Sequence, residues 1–189
     1  MADVTRILSQ IDAGDPRAAD ELLPLIYDEL RQLAAARLTH EKPGQTLGAT
    51  ALVHEAYLRL VGPADREPQQ WAGRGYFFAA AAEAMRRLLV EQARRKKRRR
   101  HGGGWQRLDL DSQLLVSDDR DDALLALNEA LERLAAEEPQ SAQVVTFRYF
   151  AGFTIEDTAA AMKISVRTVN RHWTYARAWL YQQLGDAER

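Results

Sequence analysis

The sequence predicts an all-α protein made of two small helical domains joined by an acidic linker. Apolar residues recur at steps of three and four along nearly the whole chain, which is the spacing of one helix face. Strand-like alternation of apolar and polar residues is almost absent. The charges form opposite blocks, with nine Arg or Lys residues against one acid over 86–100, and eight acids against two Arg residues over 118–138. Such a basic block favours a polyanionic partner, although a solvated helix face has the same composition.

The bulk composition narrows the class of protein. The 189 residues carry a net charge of −1. They contain no cysteine, so disulfides and thiolate metal sites are excluded. No apolar run approaches the roughly 20 residues that span a bilayer, and the first twelve residues lack the apolar stretch of a secretory signal. We therefore expect a soluble cytoplasmic protein without a membrane partner.

Four helices are predicted in the N-terminal part. They are a short helix ending near Gly14, a second capped by Asp15 and broken at 42–44, a third over about 49–61, and a long fourth from Tyr76 to near Arg99. The second helix has an apolar stripe that is expected to be buried, formed by Leu22, Leu25, Ile26, Leu30, Leu33 and Ala36.

The C-terminal part begins after a glycine run and an acidic stretch. Residues from about 105 to 120 lack a clean period and are predicted to be a linker, with a new helix starting near Asp121. Pro139 suits the first turn of the next helix, and Gly152 suits a helix C-terminus. Thr154 and Ser165 are the expected N-caps of the last two helices.

These last two helices have the pattern of a helix-turn-helix that reads duplex DNA. Counted from Ile155, positions 5, 10 and 15 are Ala159, Ile164 and Val169, where the motif needs one small and two apolar residues. Burial of Val169 and Trp173 directs an acid-free face towards solvent, where an arginine can pair with guanine or bind a phosphate. The predicted DNA-contacting residues are Lys163, Ser165, Arg167, Thr168, Arg171 and His172. An ordinary helical hairpin with a basic face is the alternative.

The long basic helix suits single-stranded nucleic acid. Trp71 lies in the polar loop before it and can stack on a base, although a core anchor is an equally good interpretation of this tryptophan. Arg87, Arg94 and Arg98 lie on one side of the helix, where they are expected to contact phosphates.

The order of these parts resembles a bacterial RNA polymerase sigma factor of the extracytoplasmic-function (ECF) type. Residues 52–60, Leu-Val-His-Glu-Ala-Tyr-Leu-Arg-Leu, resemble the family's helix that binds the polymerase clamp. Residues 76–95 resemble its promoter −10 helix, and the segment beginning at 149–156, Tyr-Phe-Ala-Gly-Phe-Thr-Ile-Glu, resembles the region that binds the −35 element.

The resemblance implies a division of labour along the chain. It implies region 2 over 1–101, a linker over 102–120 and region 4 over 121–189, with core RNA polymerase and promoter DNA as partners. Region 4 would bind −35 duplex DNA while region 2, with Trp71, Arg87, Arg94 and Arg98, captures unpaired −10 bases. The residues implied in polymerase binding are Thr50, Leu52, His54, Glu55, Tyr57 and Arg59.

One departure from the family pattern is interpreted as regulatory. Members commonly carry Asp-Ala-Glu-Asp just before the clamp helix, whereas positions 48–51 here are Gly-Ala-Thr-Ala. Phosphate on Thr50, or on Thr46 as a second choice, would restore about −2 charge at a helix N-terminus. A Ser/Thr kinase is therefore a predicted partner, beside an anti-sigma factor. The alternative is that Thr50 is only an N-cap.

Other classes of protein fit less well. The chain lacks a phosphate-binding loop and a His-Glu-x-x-His motif, and its four histidines are dispersed without ligand spacing, so we expect no enzyme, cofactor or metal site. The main alternative function is a helix-turn-helix transcriptional regulator that is not a sigma factor. An RNA-binding protein is a third possibility, suggested by the basic run over 94–100.

Overall fold

The computed structural model describes residues 2–15, 17–38, 48–61, 73–102 and 115–186, and its regular structure within these ranges is helical, as predicted. The helices are α1 Ala2–Asp12, α2 Ala18–Leu38, α3 Ala49–Val61, α4 Arg74–Gly102, α5 Leu115–Glu137, α6 Pro139–Val145, α7 Ile155–Met162 and α8 Val166–Asp186, with a π-helical turn Thr146–Phe150 after α6. In the described ranges, no helix combines the length and apolar character needed to cross a membrane.

The chain forms two compact units, each built from separate stretches of sequence. Unit 1 comprises Met1–Arg86 and Thr146–Val169, and unit 2 comprises Arg87–Val145 and Asn170–Arg189. The predicted division into 1–101, 102–120 and 121–189 stays a prediction about the functional parts of the chain. Helix α5 begins at Leu115, inside the stretch predicted to be a linker. Acidic composition was a poor guide there, because acidic residues are favourable in the first turn of a helix.

In unit 1, α2 packs against both α1 and α3. The buried stripe of α2 follows four-residue steps through Leu22, Ile26, Leu30 and Ala34, each at most 1 % exposed. The prediction that Leu25 and Ala36 belong to this stripe is wrong, since Leu25 is 50 % exposed and Ala36 is exposed as well. The i+4 rows of a helix stay on one face, so a stripe centred on Ile26 turns its predecessor towards solvent.

Tyr57 of α3 fixes the seam between α2 and α3. Its side chain is 8 % exposed, and its hydroxyl donates a hydrogen bond to the Ala19 carbonyl oxygen of α2. Burial raises the pKa of Tyr57 to about 12, with a smaller contribution from the charge of Asp20, while a hydrogen bond to the Leu23 backbone acts in the opposite direction. The fold therefore requires the neutral phenol.

In unit 2, α5 packs against α6. Ala130 and Leu134 of α5, Val144 of α6 and Ala176 of α8 are fully buried. At the edge of this core, the Trp179 indole Nε1 donates a hydrogen bond of 3.2 Å to Glu137.

The caps of α7 and α8 form as the sequence predicts. The Thr154 hydroxyl oxygen accepts a hydrogen bond of 3.0 Å from the Asp157 backbone N–H, and Ser165 accepts one of 3.1 Å from Thr168. Lys163 ends α7 in the left-handed conformation, with φ 55° and ψ 40°, and its backbone N–H bonds to carbonyl oxygens in the preceding turn. A side chain at this backbone conformation costs roughly 1 kcal/mol, which glycine avoids.

Replacing Tyr57 with phenylalanine should flatten the alkaline unfolding profile. Because the folded pKa lies above the unfolded value of about 10, the neutral phenol stabilises the fold fully below pH 10. This stabilisation is lost as the pH rises towards 12, by at most about 1.4 kcal/mol per pH unit. Urea unfolding at several pH values between 8 and 11.5 measures the slope. Tyr181→Phe is the matched control, since Tyr181 is 83 % exposed and should leave the slope unchanged. Equal slopes in both variants would contradict the burial of Tyr57.

Replacing Lys163 with glycine should stabilise the protein by about 1 kcal/mol, because it removes the left-handed strain. The expected result is a higher urea midpoint at an unchanged m-value. Ala160→Gly is the control on the exposed side of α7, where glycine should lower stability by a similar amount. A destabilised Lys163→Gly variant would show that the lysine contributes more than its backbone strain costs.

Candidate nucleic-acid interface

The start of α8 presents a cationic face above a buried anchor. Val169 is fully buried, while Arg167 and Arg171 are exposed and one helical turn apart. Lys163 and Ser165 are also exposed, and Thr168 is half-buried with its hydroxyl 2.8 Å from that of Ser165. Between residues 163 and 185 the sequence contains no acid. Two guanidinium groups at the positive end of a helix suit base edges and phosphates.

His172 does not belong to this face, and the prediction that it points towards solvent is wrong. The side chain is 9 % exposed, and its Nδ1 lies 2.9 Å from the hydroxyl oxygen of Ser141 on α6. Its Nε2 is buried without a hydrogen-bond partner among the described residues. The reason is the helical period: His172 lies three residues after Val169 and four before Ala176, so it falls on the buried stripe.

Tyr175 extends the exposed face beyond the predicted residues. It follows Arg171 by four positions and is 44 % exposed. Arg177 is exposed and lies 6.0 Å from the centroid of the Trp173 ring. The sequence signal for Tyr175 was its place in the row of Arg167 and Arg171, and the aromatic ring concealed it as a core candidate.

On α4, the three predicted phosphate-binding arginines share one exposed side. Arg87, Arg94 and Arg98 are all exposed, and steps of seven and four keep them on one face of the helix. Trp71 lies outside the described residues. Arg86 is different from its neighbour, because it is 8 % exposed and forms an ion pair of 2.5 Å with Glu83.

The end of the basic helix carries ion pairs to the acidic start of α5. The Lys96 amino group lies 3.6 Å from Asp121, and that of Lys97 lies 2.8 Å from Asp122. The hydrogen bond from Lys97 to Asp122, together with the charge of that carboxylate, raises the pKa of Lys97. Part of the basic block is thus neutralised locally, and sequence order alone did not show which lysines are involved.

Four of the predicted polymerase-binding residues are exposed or half-buried on α3. Thr50, His54 and Glu55 are exposed and Arg59 is half-buried, whereas Leu52 and Tyr57 are buried and hold the helix in place. Leu58, absent from the predicted set, is 63 % exposed and continues the row of Thr50 and His54 at four-residue steps. A leucine in an amphipathic helix usually indicates core, which is why the sequence pattern did not single it out.

Thr50 lies inside the first turn of α3 and does not cap it. The Gly48 carbonyl oxygen accepts the backbone hydrogen bond of 3.0 Å from Leu52, which makes Gly48 the capping position. The Tyr27 hydroxyl donates to the Thr50 hydroxyl at 3.4 Å, and the Tyr27 and His54 rings lie 6.0 Å apart. The first turn of α3 contains no acid. The alternative interpretation of Thr50 as an N-cap is therefore wrong.

Comparison with known proteins agrees with this arrangement. The sequence model of a family described as ECF sigma factor matches residues 1–186. A comparison with curated proteins gives no match. The match covers nearly the whole of an all-helical chain with a capped helix-turn-helix near its end. The chain therefore belongs to the ECF sigma factor family, whose members regulate transcription at its initiation and have core RNA polymerase and promoter DNA as partners.

Proposed function

We propose that this sigma factor contacts the −35 element through α8, the unpaired −10 element through α4 and the polymerase clamp through α3, and that phosphate on Thr50 strengthens the clamp contact. The observation that carries the proposal is the acid-free face of α8, in which Arg167 and Arg171 stand exposed above the fully buried Val169.

The α8 face divides into two kinds of contact. Arg167 and Arg171 lie where the recognition helix of this motif enters the major groove, and each guanidinium matches the O6 and N7 acceptors of guanine. Lys163 and Ser165 lie at the turn before the helix, where an ammonium group, a hydroxyl and the positive end of the helix dipole suit a phosphate. The first pair therefore specifies sequence, and the second pair positions the helix.

The α4 face provides a phosphate track for separated strands. Arg87, Arg94 and Arg98 are exposed on one side over about three turns of helix. Trp71 is the proposed stacking residue for an unpaired base. Unstacking a base costs a few kcal/mol, which stacking on an aromatic ring and phosphate contacts offset.

Thr50 is placed where a phosphate adds most to docking. It is exposed in the first turn of α3, where the helix dipole stabilises negative charge and no acid already stands. The Tyr27 hydroxyl at 3.4 Å and the His54 ring on the next turn can donate hydrogen bonds to it. A Ser/Thr kinase would transfer the γ-phosphoryl group of ATP to the Thr50 hydroxyl oxygen, releasing ADP and the hydroxyl proton. The product restores the negative charge that the family usually carries here as carboxylates.

Replacing Arg171 with alanine should relax promoter choice at the −35 element and weaken binding by about five-fold to a hundred-fold, since a bidentate arginine–guanine pair contributes about 1–3 kcal/mol. Holoenzyme reconstituted with core polymerase on genomic DNA fragments identifies the start sites and the −35 sequence. The affinity for a duplex carrying that sequence is then measured by fluorescence anisotropy.

Lys163→Ala should instead weaken binding to all duplexes and lower the slope of log affinity against log salt concentration by about one. Arg6→Ala on α1 is the control, being an exposed arginine outside the three surfaces. Unselective transcription by the parent holoenzyme would contradict the proposal.

The protein carrying phosphothreonine at position 50, made by semisynthesis, should bind core polymerase about ten-fold more tightly than the parent. This gain is equivalent to about 1.4 kcal/mol. Thr50→Glu should fall between them, and Thr50→Ala should equal the unmodified parent. The gain should shrink as salt is raised, because it comes from an exposed charge. Phosphothreonine at exposed position 5 of α1 is the matched control. If the proteins with phosphothreonine at position 50 and at position 5 bind core polymerase with the same affinity, the phosphorylation proposal is wrong.

A further inference from the structure

One polar pair lies inside the apolar core of unit 2 and joins α6 to α8. The Ser141 hydroxyl oxygen lies 2.9 Å from Nδ1 of His172, and the two side chains are 1 % and 9 % exposed. The other buried residues of unit 2 on these two helices are apolar, namely Ala142, Val144, Val145 and Ala176. His172 is thus a polar ring in an apolar core, and none of the DNA contacts proposed above uses it.

Stability alone gives little reason for such a pair. Burying a hydroxyl and an imidazole takes both groups out of water, and the hydrogen bond between them largely offsets that cost without exceeding it by much. Two apolar residues of similar shape can often replace a buried polar pair with no loss of stability. Nε2 of His172, moreover, has no hydrogen-bond partner among the described residues. The pair is therefore expected to serve a purpose other than stability.

A hydrogen bond fixes direction in a way that apolar contacts do not. Apolar burial is non-directional, so it allows a helix to turn about its own axis at little cost. A hydrogen bond weakens steeply when its distance or angle leaves a narrow range. Ser141 lies in the first turn of α6 and His172 in the second turn of α8, so their bond restricts the rotation of α8 against α6.

The rotation of α8 determines where Arg171 points. Successive residues on a helix are about 100° apart, so a His172 ring held inward fixes the direction of its exposed neighbour Arg171. A bidentate contact with guanine requires two guanidinium N–H groups to be aligned at the same time. An ammonium group on a phosphate acts as a point charge and has no such requirement. Rotation of α8 should therefore affect base reading more than phosphate binding.

We propose that Ser141 and His172 are positioning residues for promoter recognition. Their hydrogen bond sets the rotation of α8 and so holds the Arg171 guanidinium group in the orientation that reads a base pair. The inference rests on the proposed contact of α8 with the −35 element. The competing explanation is a polar pair that contributes to stability alone, in which case its loss leaves discrimination between DNA sequences unchanged.

Three single variants separate the hydrogen bond from the space that the ring fills. Ser141→Ala removes the hydroxyl, whereas His172→Asn and His172→Gln place an amide near the positions of Nδ1 and Nε2, respectively. The measured quantity is the ratio of affinities for the −35 duplex and for a scrambled duplex, obtained by fluorescence anisotropy. We expect Ser141→Ala and His172→Gln to lower this ratio about five-fold, the lower end of the loss of one bidentate pair. His172→Asn should keep most of the ratio, and affinity for the scrambled duplex should be unchanged throughout.

Two controls separate positioning from stability. Urea unfolding gives the stability of each variant, so that affinities are compared where every variant is folded. Ser9→Ala is the matched control, since Ser9 is exposed and its hydroxyl donates to the Thr5 carbonyl oxygen within α1. A double-mutant cycle with Arg171→Ala tests the route of the effect. In that background Ser141→Ala should leave the ratio unchanged, because the contact that it misdirects is already absent.

Residual dipolar couplings of the backbone N–H groups, measured by NMR on the free protein, report the rotation of α8 against α6 directly. They should change in Ser141→Ala and His172→Gln and stay close to the parent values in His172→Asn. Unchanged couplings, or a lower stability without a lower affinity ratio, would overturn the positioning role. An equal effect of Ser141→Ala with and without Arg171 would overturn it as well. If Arg171→Ala itself keeps the ratio while the couplings change as expected, the proposed base contact of Arg171 is wrong and the pair still sets the rotation of α8.

Discussion

The burial of one stripe on α8 determines what the helix-turn-helix offers to a partner. Val169 and Ala176 are fully buried, and His172 between them is nearly so. Because a helix has 3.6 residues per turn, fixing these positions inward leaves Arg167, Arg171 and Tyr175 outward on the opposite side. The left-handed turn at Lys163 and the cap Ser165 end α7 and begin α8 just before this stripe. The proposed DNA contacts therefore depend on an apolar seam that no DNA would touch.

Much of this arrangement follows from the sequence, because helical periodicity, caps and breakers act over a few residues. The bounds of α3 and the caps Thr154 and Ser165 were predictable from such local signals. The prediction that His172 is exposed was wrong because it followed the residue type. The helical position of His172, three residues after Val169, places it on the buried stripe. A polar residue can enter a core when it finds a partner, and Ser141 is 31 positions away in the sequence.

The remaining differences have the same long-range origin. Leu58 and Tyr175 are exposed although their residue types favour burial, and whether a side chain is covered depends on what packs beside it. Contact of the π-helical turn with α4 joins residues about 70 positions apart, as in the pair of Tyr76 and Phe147. Periodicity carries no information about such a pairing. Gly75 lay just outside the helix that the sequence predicts from Tyr76, so its place in the first turn of α4 was not foreseen.

Lys163 shows how a structure retains a locally unfavourable residue. Most helix-turn-helix turns have glycine at the left-handed position. This chain has Lys163 there, with φ 55°. Natural proteins commonly trade conformational ease for activity at functional positions. A relative with glycine at this position would gain thermal stability and lose the ammonium group that is proposed to bind a phosphate, so a single codon would set thermal stability and promoter affinity together.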